Sequence, residues 1–453
     1  MPYGPHTADD RARMREAIGI GSIDELFDDI PVSVRAHGLD LPGPEPELEL
    51  SMRLRDLAGR NRVDLASFLG AGVYRHYVPA AVDQIVSRGE FYTAYTPYQP
   101  EISQGTLQTI YEYQSMLAEL TGLDAVSASH YDGATATAEA ALMCLRATGR
   151  ARILVSAAVH PQYTGTARTY LDGSRFALET IPLSADGTTD LAALERLLAD
   201  GERPVAGVLV AQPNVLGILE PMADVARLAH GAGALFVAVV EPVSLAVLAP
   251  PGAYGADIAA GEGQPLGLPL GYGGPYLGIL AATTALTRQL PGRLVGRTTD
   301  ADGRRAFVMT LRAREQDIRR ERAASNICTN QALCALAATV SLATIGPHGL
   351  RDAAALGAAR ARELERALAA AGAPRIHDAP YLNEFAVRVP DARRVHAALL
   401  ERGILAGLPL VDWFPDDLRL RDGLLVCATE VTRPAEIEAF AAALADVTAE
   451  VVA

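Results

Sequence analysis

Val205-Ala206-Gly207-Val208-Leu209-Val210-Ala211 runs for seven residues without a polar side chain. A half-buried strand alternates polar and apolar positions, so a run with no polar face predicts a strand covered on both sides. The pattern recurs upstream at Arg152-Ile153-Leu154-Val155-Ser156 and downstream at Ala234-Leu235-Phe236-Val237-Ala238-Val239-Val240. Helix-period stretches near 135–147, 190–199 and 222–231 separate these runs. Strands buried on both faces and joined by helices predict a mostly parallel sheet, an α/β domain spanning roughly residues 124–282.

On the N-terminal side, Thr7-x-x-Asp10 and Ser22-x-x-Glu25 have the form of capping boxes, and a Pro-rich break follows at Leu41-Pro42-Gly43-Pro44-Glu45-Pro46. This part is expected to be a helical arm of the kind that wraps a neighbouring subunit. After the aromatic, polar stretch Tyr92–Gly105, apolar residues at Ile110, Tyr113, Met116, Leu117 and Leu120 have helical spacing. A long helical region covers 331–371 with a break at Gly346-Pro347. Beyond it, strands at 384–388 and 424–428 alternate with helices at 391–402 and 433–448. The expected organisation is an arm over 1–80, a large α/β domain over 81–335 and a smaller C-terminal α/β domain over 336–453.

Composition narrows the chemistry. At 453 residues and 49% hydrophobic content the chain can bury a large core. A formal charge of -14 argues against a nucleic-acid partner, which needs clustered positive charge. No uninterrupted apolar run reaches the length of a membrane span, and Met1–His6 lacks a secretory pattern, so a cytoplasmic location without membrane attachment is expected. Cys144, Cys328, Cys334 and Cys427 form no C-x-x-C pair and are expected to be reduced core residues. All 40 cationic side chains of the Lys and Arg class are arginine. Without lysine the chain can form no Schiff base of its own, carry no lipoyl or biotinyl group and build no P-loop.

Four stretches are candidates for a site. Ser129-His130-Tyr131-Asp132-Gly133-Ala134-Thr135-Ala136 precedes an alanine-rich helix, where free N–H groups favour a phosphate or carboxylate or where a polar side chain simply caps. The Tyr92–Gly105 stretch places three tyrosines and two prolines among amides, a poor core and a poor helix, which suits a binding loop or a subunit contact. Gly261–Pro275 concentrates glycine and proline between two buried strands, beside a pocket or at an interface. Ser325-Asn326-Ile327-Cys328-Thr329-Asn330 follows a basic run and precedes a helix, as a polar cap or as part of a site. His76 and His160 lie near polar loops without metal-ligand spacing, so no metal is expected. Neither a G-x-S-x-G elbow nor a G-x-G-x-x-G turn occurs.

Phe68-Leu69-Gly70-Ala71-Gly72-Val73-Tyr74 with His76-Tyr77, together with Tyr92–Gly105, Ser129–Ala136, Pro269–Pro275 and Ser325–Asn330, resembles the glycine decarboxylase, or P-protein, of the glycine cleavage system. The likeness spans essentially the whole chain, and its length and order are similar to the N-terminal subunit, subunit 1, of the split bacterial form. It implies the fold-type-I pyridoxal-phosphate transferase architecture, with sites formed between two such folds. In the catalytic half a His-Lys pair precedes a Pro- and Gly-rich turn, and counting back from Pro269 and Gly273-Gly274-Pro275 puts Gln264 at the place of the missing lysine. Glu241, after Val239-Val240, stands where such enzymes grip the pyridine nitrogen with aspartate, or else it caps the next turn.

The resemblance further implies glycine dehydrogenase (aminomethyl-transferring) activity as part of a complex, with this chain inactive alone. Pyridoxal phosphate would be held covalently by a homologous subunit 2 in an α2β2 heterotetramer. Glycine would lose CO2 there, and its aminomethyl group would pass to the lipoyl arm of H-protein. Tyr95, Tyr98, Gln99, Glu101 and Gln104 would be contributed in trans, with Thr96, Ser325, Asn326 and Thr329 toward the partner's cofactor. A structural or regulatory pseudoenzyme partner is the alternative. A self-sufficient aminotransferase or decarboxylase conflicts with the missing lysine.

Overall fold

The computed structural model describes residues 4–36 and 38–452; residues 1–3, part of the stretch assessed for a secretory pattern, lie outside it. Two compact units divide the chain, Met1–Val63 and Asp64–Ala453. Residues 64–80 thus belong with the second unit.

In the first unit, helix α1 (Ala8–Ile18) opens on the expected capping box: Asp10 N donates to Thr7 Oγ1 at 3.2 Å and Thr7 N to Asp10 Oδ2 at 2.9 Å. Ser22 N donates to Glu25 Oε1 at 2.9 Å and opens a single 3-10 turn, Ile23–Phe27. Helix α2 (Glu47–Ala58) starts directly after the Pro-rich break. No described residue of this unit is buried, and Leu48, Met52 and Leu54 are among its exposed apolar side chains.

The second unit contains a seven-stranded sheet built from β1 (Ala125–Val126), β2 (Arg152–Ser156), β3 (Ala177–Ile181), β4 (Val205–Gln212), β5 (Leu235–Val240), β6 (Ile258–Glu262) and β7 (Gly278–Ala282). Their spatial order is β1-β7-β6-β5-β4-β2-β3, with β7 antiparallel to both neighbours and the other pairs parallel. The three apolar runs are β2, β4 and β5, and every residue of β2 and β4 is buried. Helices α3 (Gln104–Thr121), α4 (Gly133–Thr148), α5 (Pro161–Leu171), α6 (Leu191–Leu198) and α7 (Met222–Gly231) belong to this part of the chain. Alternate strand residues feed different cores: Val237 and Val239 pack with Ala136, Ala140 and Cys144 of α4, whereas Phe236 and Ala238 pack with Val225 and Ala229 of α7. A polar hairpin, β8 (Leu294–Thr299) and β9 (Arg305–Thr310), lies outside the sheet and was not expected.

Helix α8 (Ala332–Ala370) breaks at Gly346, whose φ of 63° and ψ of -179° are non-helical, with Pro347 next. One half packs Cys334, Ala335 and Ala338 against Tyr113 and Leu117 of α3. The other sends Ala361, Leu364 and Leu368 into a second core under the sheet β10 (Glu384–Arg388), β11 (Leu408–Pro409) and β12 (Gly423–Cys427). Helices α9 (Ala392–Glu401) and α10 (Pro434–Val452) complete the C-terminal βαβα pattern. By length and composition alone α8 is apolar enough to cross a membrane, an 18-residue window having a mean hydropathy of 1.4, although polar residues interrupt it and it holds no unbroken apolar run of that length. Cys144, Cys334 and Cys427 are buried and Cys328 is exposed, so Cys328 is not the core residue expected; all four are free thiols.

The small sheet is held against the large one at Gly217. This glycine has φ +78°, and a Cβ there would collide with the carbonyl oxygen of Glu384 in β10. Gly217→Ala combines left-handed strain with that overlap, an expected cost on the order of 3 kcal/mol. Thermal unfolding should show a Tm lower by several degrees, and an unchanged Tm would contradict this account of the junction.

Candidate functional site

In open α/β sheets ligands gather at the carboxyl ends of the parallel strands. Here those ends carry Gln212-Pro213-Asn214 after β4, Glu241 after β5 and Glu262 closing β6, around a cavity of about 60 Å³. Tyr74, His160 and Tyr163 complete its wall. Tyr74, His160, Asn214, Glu241 and Glu262 are already engaged by their own chain. Glu241 accepts from Val243 N at 2.9 Å and Ser244 N at 2.6 Å, so it caps the next turn. Burial raises its carboxyl above the ordinary range, the His76 charge opposing. His160 accepts at Nδ1 from Gln162 N (3.2 Å), donates from Nε2 to Ala71 O (3.0 Å), stacks on Tyr163 and meets Trp413 edge-on. Burial lowers its pKa, so the neutral ring this bonding requires is favoured.

Gln264 is buried: its Nε2 donates to Leu268 O at 2.8 Å and its Oε1 accepts from Tyr74 N at 3.3 Å. Glu262 Oε2 accepts from Gly133 N at 2.9 Å, at the first residue of α4. The Ser129–Ala136 stretch thus has both features considered for it. Asp132 caps α4 through Thr135 N at 2.7 Å, and a carboxylate from the same chain sits on the helix N-terminus. Burial pushes the Glu262 carboxyl up to about 7 against the pull of three N–H donors. A pyridoxal phosphate does not fit this cleft. No amine is present, the helix N-terminus and Glu241 are occupied from within, and ligand pockets are roughly 300–1,000 Å³.

A second concavity of about 190 Å³ is formed around the aromatic loop and lined by Tyr95, Thr96, Arg293, Thr329, Asn330 and Gln331 among others. The structure thus brings Tyr95, Thr96 and Thr329 together, and the Tyr95 and Thr329 hydroxyls lie 3.0 Å apart. Tyr98 accepts from Arg293 Nη2 at 3.0 Å, and the Arg312 guanidinium lies 4.9 Å from its ring centre. Gln99, Glu101 and Asn326 are exposed. Ser325 Oγ donates to Glu139 Oε1 at 2.5 Å and accepts from Ile327 N at 3.2 Å. Gln104 serves the fold: Nε2 donates to Pro100 O (2.7 Å) and Phe307 O (2.9 Å), and Oε1 accepts from Phe307 N (2.9 Å). It thereby fixes the loop to β9. Gln264 is not among the residues lining either cavity; its neighbours Glu262 and Pro265 line the first.

Sequence inspection missed the cations here. Arg293 is buried, and its Nε makes no hydrogen bond but lies 3.8 Å from Glu315 Oε2; the Nε atoms of Arg312 and Arg314 also make no hydrogen bond. Arg314 donates to Gly292 O at 2.7 Å, and burial of nearby His130, with the Arg314 charge adding, pushes its pKa down to about 3. Arg293, the cation among the lining residues, makes this concavity receptive to an anionic or strongly polar group. It offers hydroxyls and one guanidinium but no amine nucleophile. The available signal was Arg293 alone among apolar residues after Pro291-Gly292.

Residues 1–444 match the model of the glycine cleavage system P-protein family. The chain is 51% identical over 447 residues to the probable glycine dehydrogenase (decarboxylating) subunit 1 of Moorella thermoacetica, covering 98% of this chain and 99% of that one. The protein of the same name from Anaeromyxobacter dehalogenans is 49% identical over 446 residues, covering 98% and 100%. A crystal structure of glycine decarboxylase (P-protein) of the glycine cleavage system, in inhibitor-bound form, superposes with a TM-score of 0.90 at 46% identity, covering 99% of this chain and 100% of that one. A NifS-like protein from Rickettsia africae superposes with a TM-score of 0.63 at 14% identity over 84% and 99%. This second likeness concerns the fold alone, which is the fold-type-I architecture expected from the sequence.

Proposed function

Because the chain belongs to the glycine cleavage system P-protein family, we propose that it is the lysine-free subunit of a split glycine decarboxylase whose partner subunit binds pyridoxal phosphate. The observation that carries this reading is that a family member matching 99% of its relative's length contains no lysine. The residue at the expected lysine position, Gln264, is turned into hydrogen bonds of its own chain. The subunit-1 names of its relatives support a partner.

The concavity around Tyr95, Thr96, Arg293 and Thr329 is then the face this chain lends to the partner's site. Arg293 would attract an anionic group there, and the hydroxyls would orient it. Gln99, Glu101, Ser325 and Asn326 would flank it. Glycine, lipoylated H-protein, an α2β2 assembly and a cytoplasmic location complete the reading, two homologous folds closing most simply as a symmetric tetramer.

Cofactor absorbance and exchange of the glycine carboxyl with labelled bicarbonate test it, on the purified chain alone and mixed with a lysine-bearing partner, lipoylated H-protein being present in both. Both signals are expected only in the mixture. Either signal from the chain alone would overturn the proposal, and so would a mixture that assembles but exchanges no more than the partner by itself.

A further inference from the structure

We infer that the side chain of Glu262 is a resident acceptor occupying the phosphate cradle of this chain's own fold, and that it clips shut both ends of the 263–277 turn. The inference depends on the geometry of this chain and stands or falls separately from the decarboxylase reading.

The N-terminus of α4 presents its first N–H groups and the positive end of a 16-residue helix toward the carboxyl ends of the strands, the arrangement that takes phosphates in α/β folds. Here that end is filled from within. Glu262, 8% exposed, closes β6. Its Oε2 accepts from Gly133 N at 2.9 Å, and its Oε1 accepts from Gln264 N and Leu277 N, each at 2.9 Å. One carboxyl group therefore satisfies donors from three segments: the start of α4, the exit of β6 and the lead-in to β7.

Space at this point is already used. A Cβ on Gly133 would lie 2.8 Å from Glu262 N and would collide with the Tyr163 hydroxyl, so the helix start is packed directly against β6 and α5. The donors to Oε1 bracket the Gly- and Pro-rich turn, and Gly263 N adds a bond to Leu277 O at 2.6 Å. Between these clips the turn extends to Tyr272, 96% exposed. Glu262 is thus a positioning residue. It holds the base of a projecting loop and keeps phosphate out of the cleft beneath.

Two measurements on the full chain test this. In thermal melts, inorganic phosphate is compared with chloride at equal ionic strength. The wild type should be indifferent; Glu262→Ala should melt several degrees lower in chloride and recover part of the loss in phosphate. In equilibrium dialysis with pyridoxal 5′-phosphate, Gln264→Lys should bind no better than wild type. The double variant Glu262→Ala with Gln264→Lys should bind at least about tenfold more tightly. The inference is overturned if Glu262→Ala melts like wild type, if phosphate shifts both proteins equally, or if Gln264→Lys alone takes up the ligand. Should Glu262→Ala not fold in chloride, Glu262→Ser replaces it in both assays with the same criteria. Failure of both variants to respond to phosphate counts against the inference.

Discussion

Tyr98→Phe is expected to lower glycine decarboxylation by the assembled complex about tenfold to a hundredfold while leaving assembly intact. The hydroxyl is the acceptor that holds Arg293 Nη2 at 3.0 Å, and Arg293 lines the concavity with Tyr95 and Thr329. Removing one oxygen preserves the ring against Arg312 and the loop's packing, but it frees the buried guanidinium head to turn toward Glu315, 3.8 Å from its Nε. An ion moved by about 1 Å no longer meets the charge it was placed for. Phe at this position leaves a donor unpaired, a cost of about 1–3 kcal/mol that a large fold tolerates.

Gln104→Ala should also reduce activity, with a different signature. Its three bonds to Pro100 and Phe307 fix the loop to β9, so a lower Tm should accompany the lower rate. Exchange assays with size-exclusion chromatography and melting on both variants separate the two. Wild-type rates in both would remove the case that this loop touches the reaction, and would leave the structural-partner reading.

Apolar runs made the central sheet legible, because a strand covered on both faces has an apolar interior with polar residues only at its ends, and β2, β4 and β5 announce themselves. The break in α8 was equally plain from Gly346-Pro347, since proline cannot donate to the turn before it. The β8–β9 hairpin was not, because Arg297, Thr298, Thr299, Arg304 and Arg305 resemble a solvated loop and only pairing across the turn reveals the strands. The aromatic loop stood out as poor core and poor helix. What its hydroxyls do depended on Arg293 and Thr329, 195 and 234 residues away, a separation no local pattern spans. Gln104 reads as a site residue because amides in a loop suggest recognition, and its hydrogen-bond partners are backbone atoms of Pro100 and of Phe307, in a strand that had not been foreseen. Near the cleft, the family motif marks Gln264, whereas Glu262, two residues earlier, makes the contacts that define it.

Glu384 should make the stability of this chain depend on pH, and Glu384→Gln should isolate that dependence. Its carboxyl is 2% exposed, accepts from Ala71 N at 2.6 Å and from the Tyr74 hydroxyl at 2.8 Å, and faces Glu241 and Cys427. Burial, with Glu241 adding repulsion, raises it from 4.5 to about 7. A carboxyl whose folded pKa is raised binds its proton more tightly in the native state. Its stabilisation is full below the unfolded pKa and disappears as pH rises through the folded one. Across that window the loss is on the order of 3 kcal/mol. The wild-type profile mixes this with His130, whose pKa of about 3 acts in the opposite sense as pH falls below the ordinary histidine range. The difference between variant and wild type cancels that term. Glutamine keeps the size, accepts from Ala71 and donates to Tyr74 without needing a proton. The two proteins should therefore melt together near about pH 5, and the variant should gain up to about 3 kcal/mol near about pH 8. A gap that stays constant across this range, or that favours wild type at the upper end, would mean the Glu384 carboxyl is ionised at little cost.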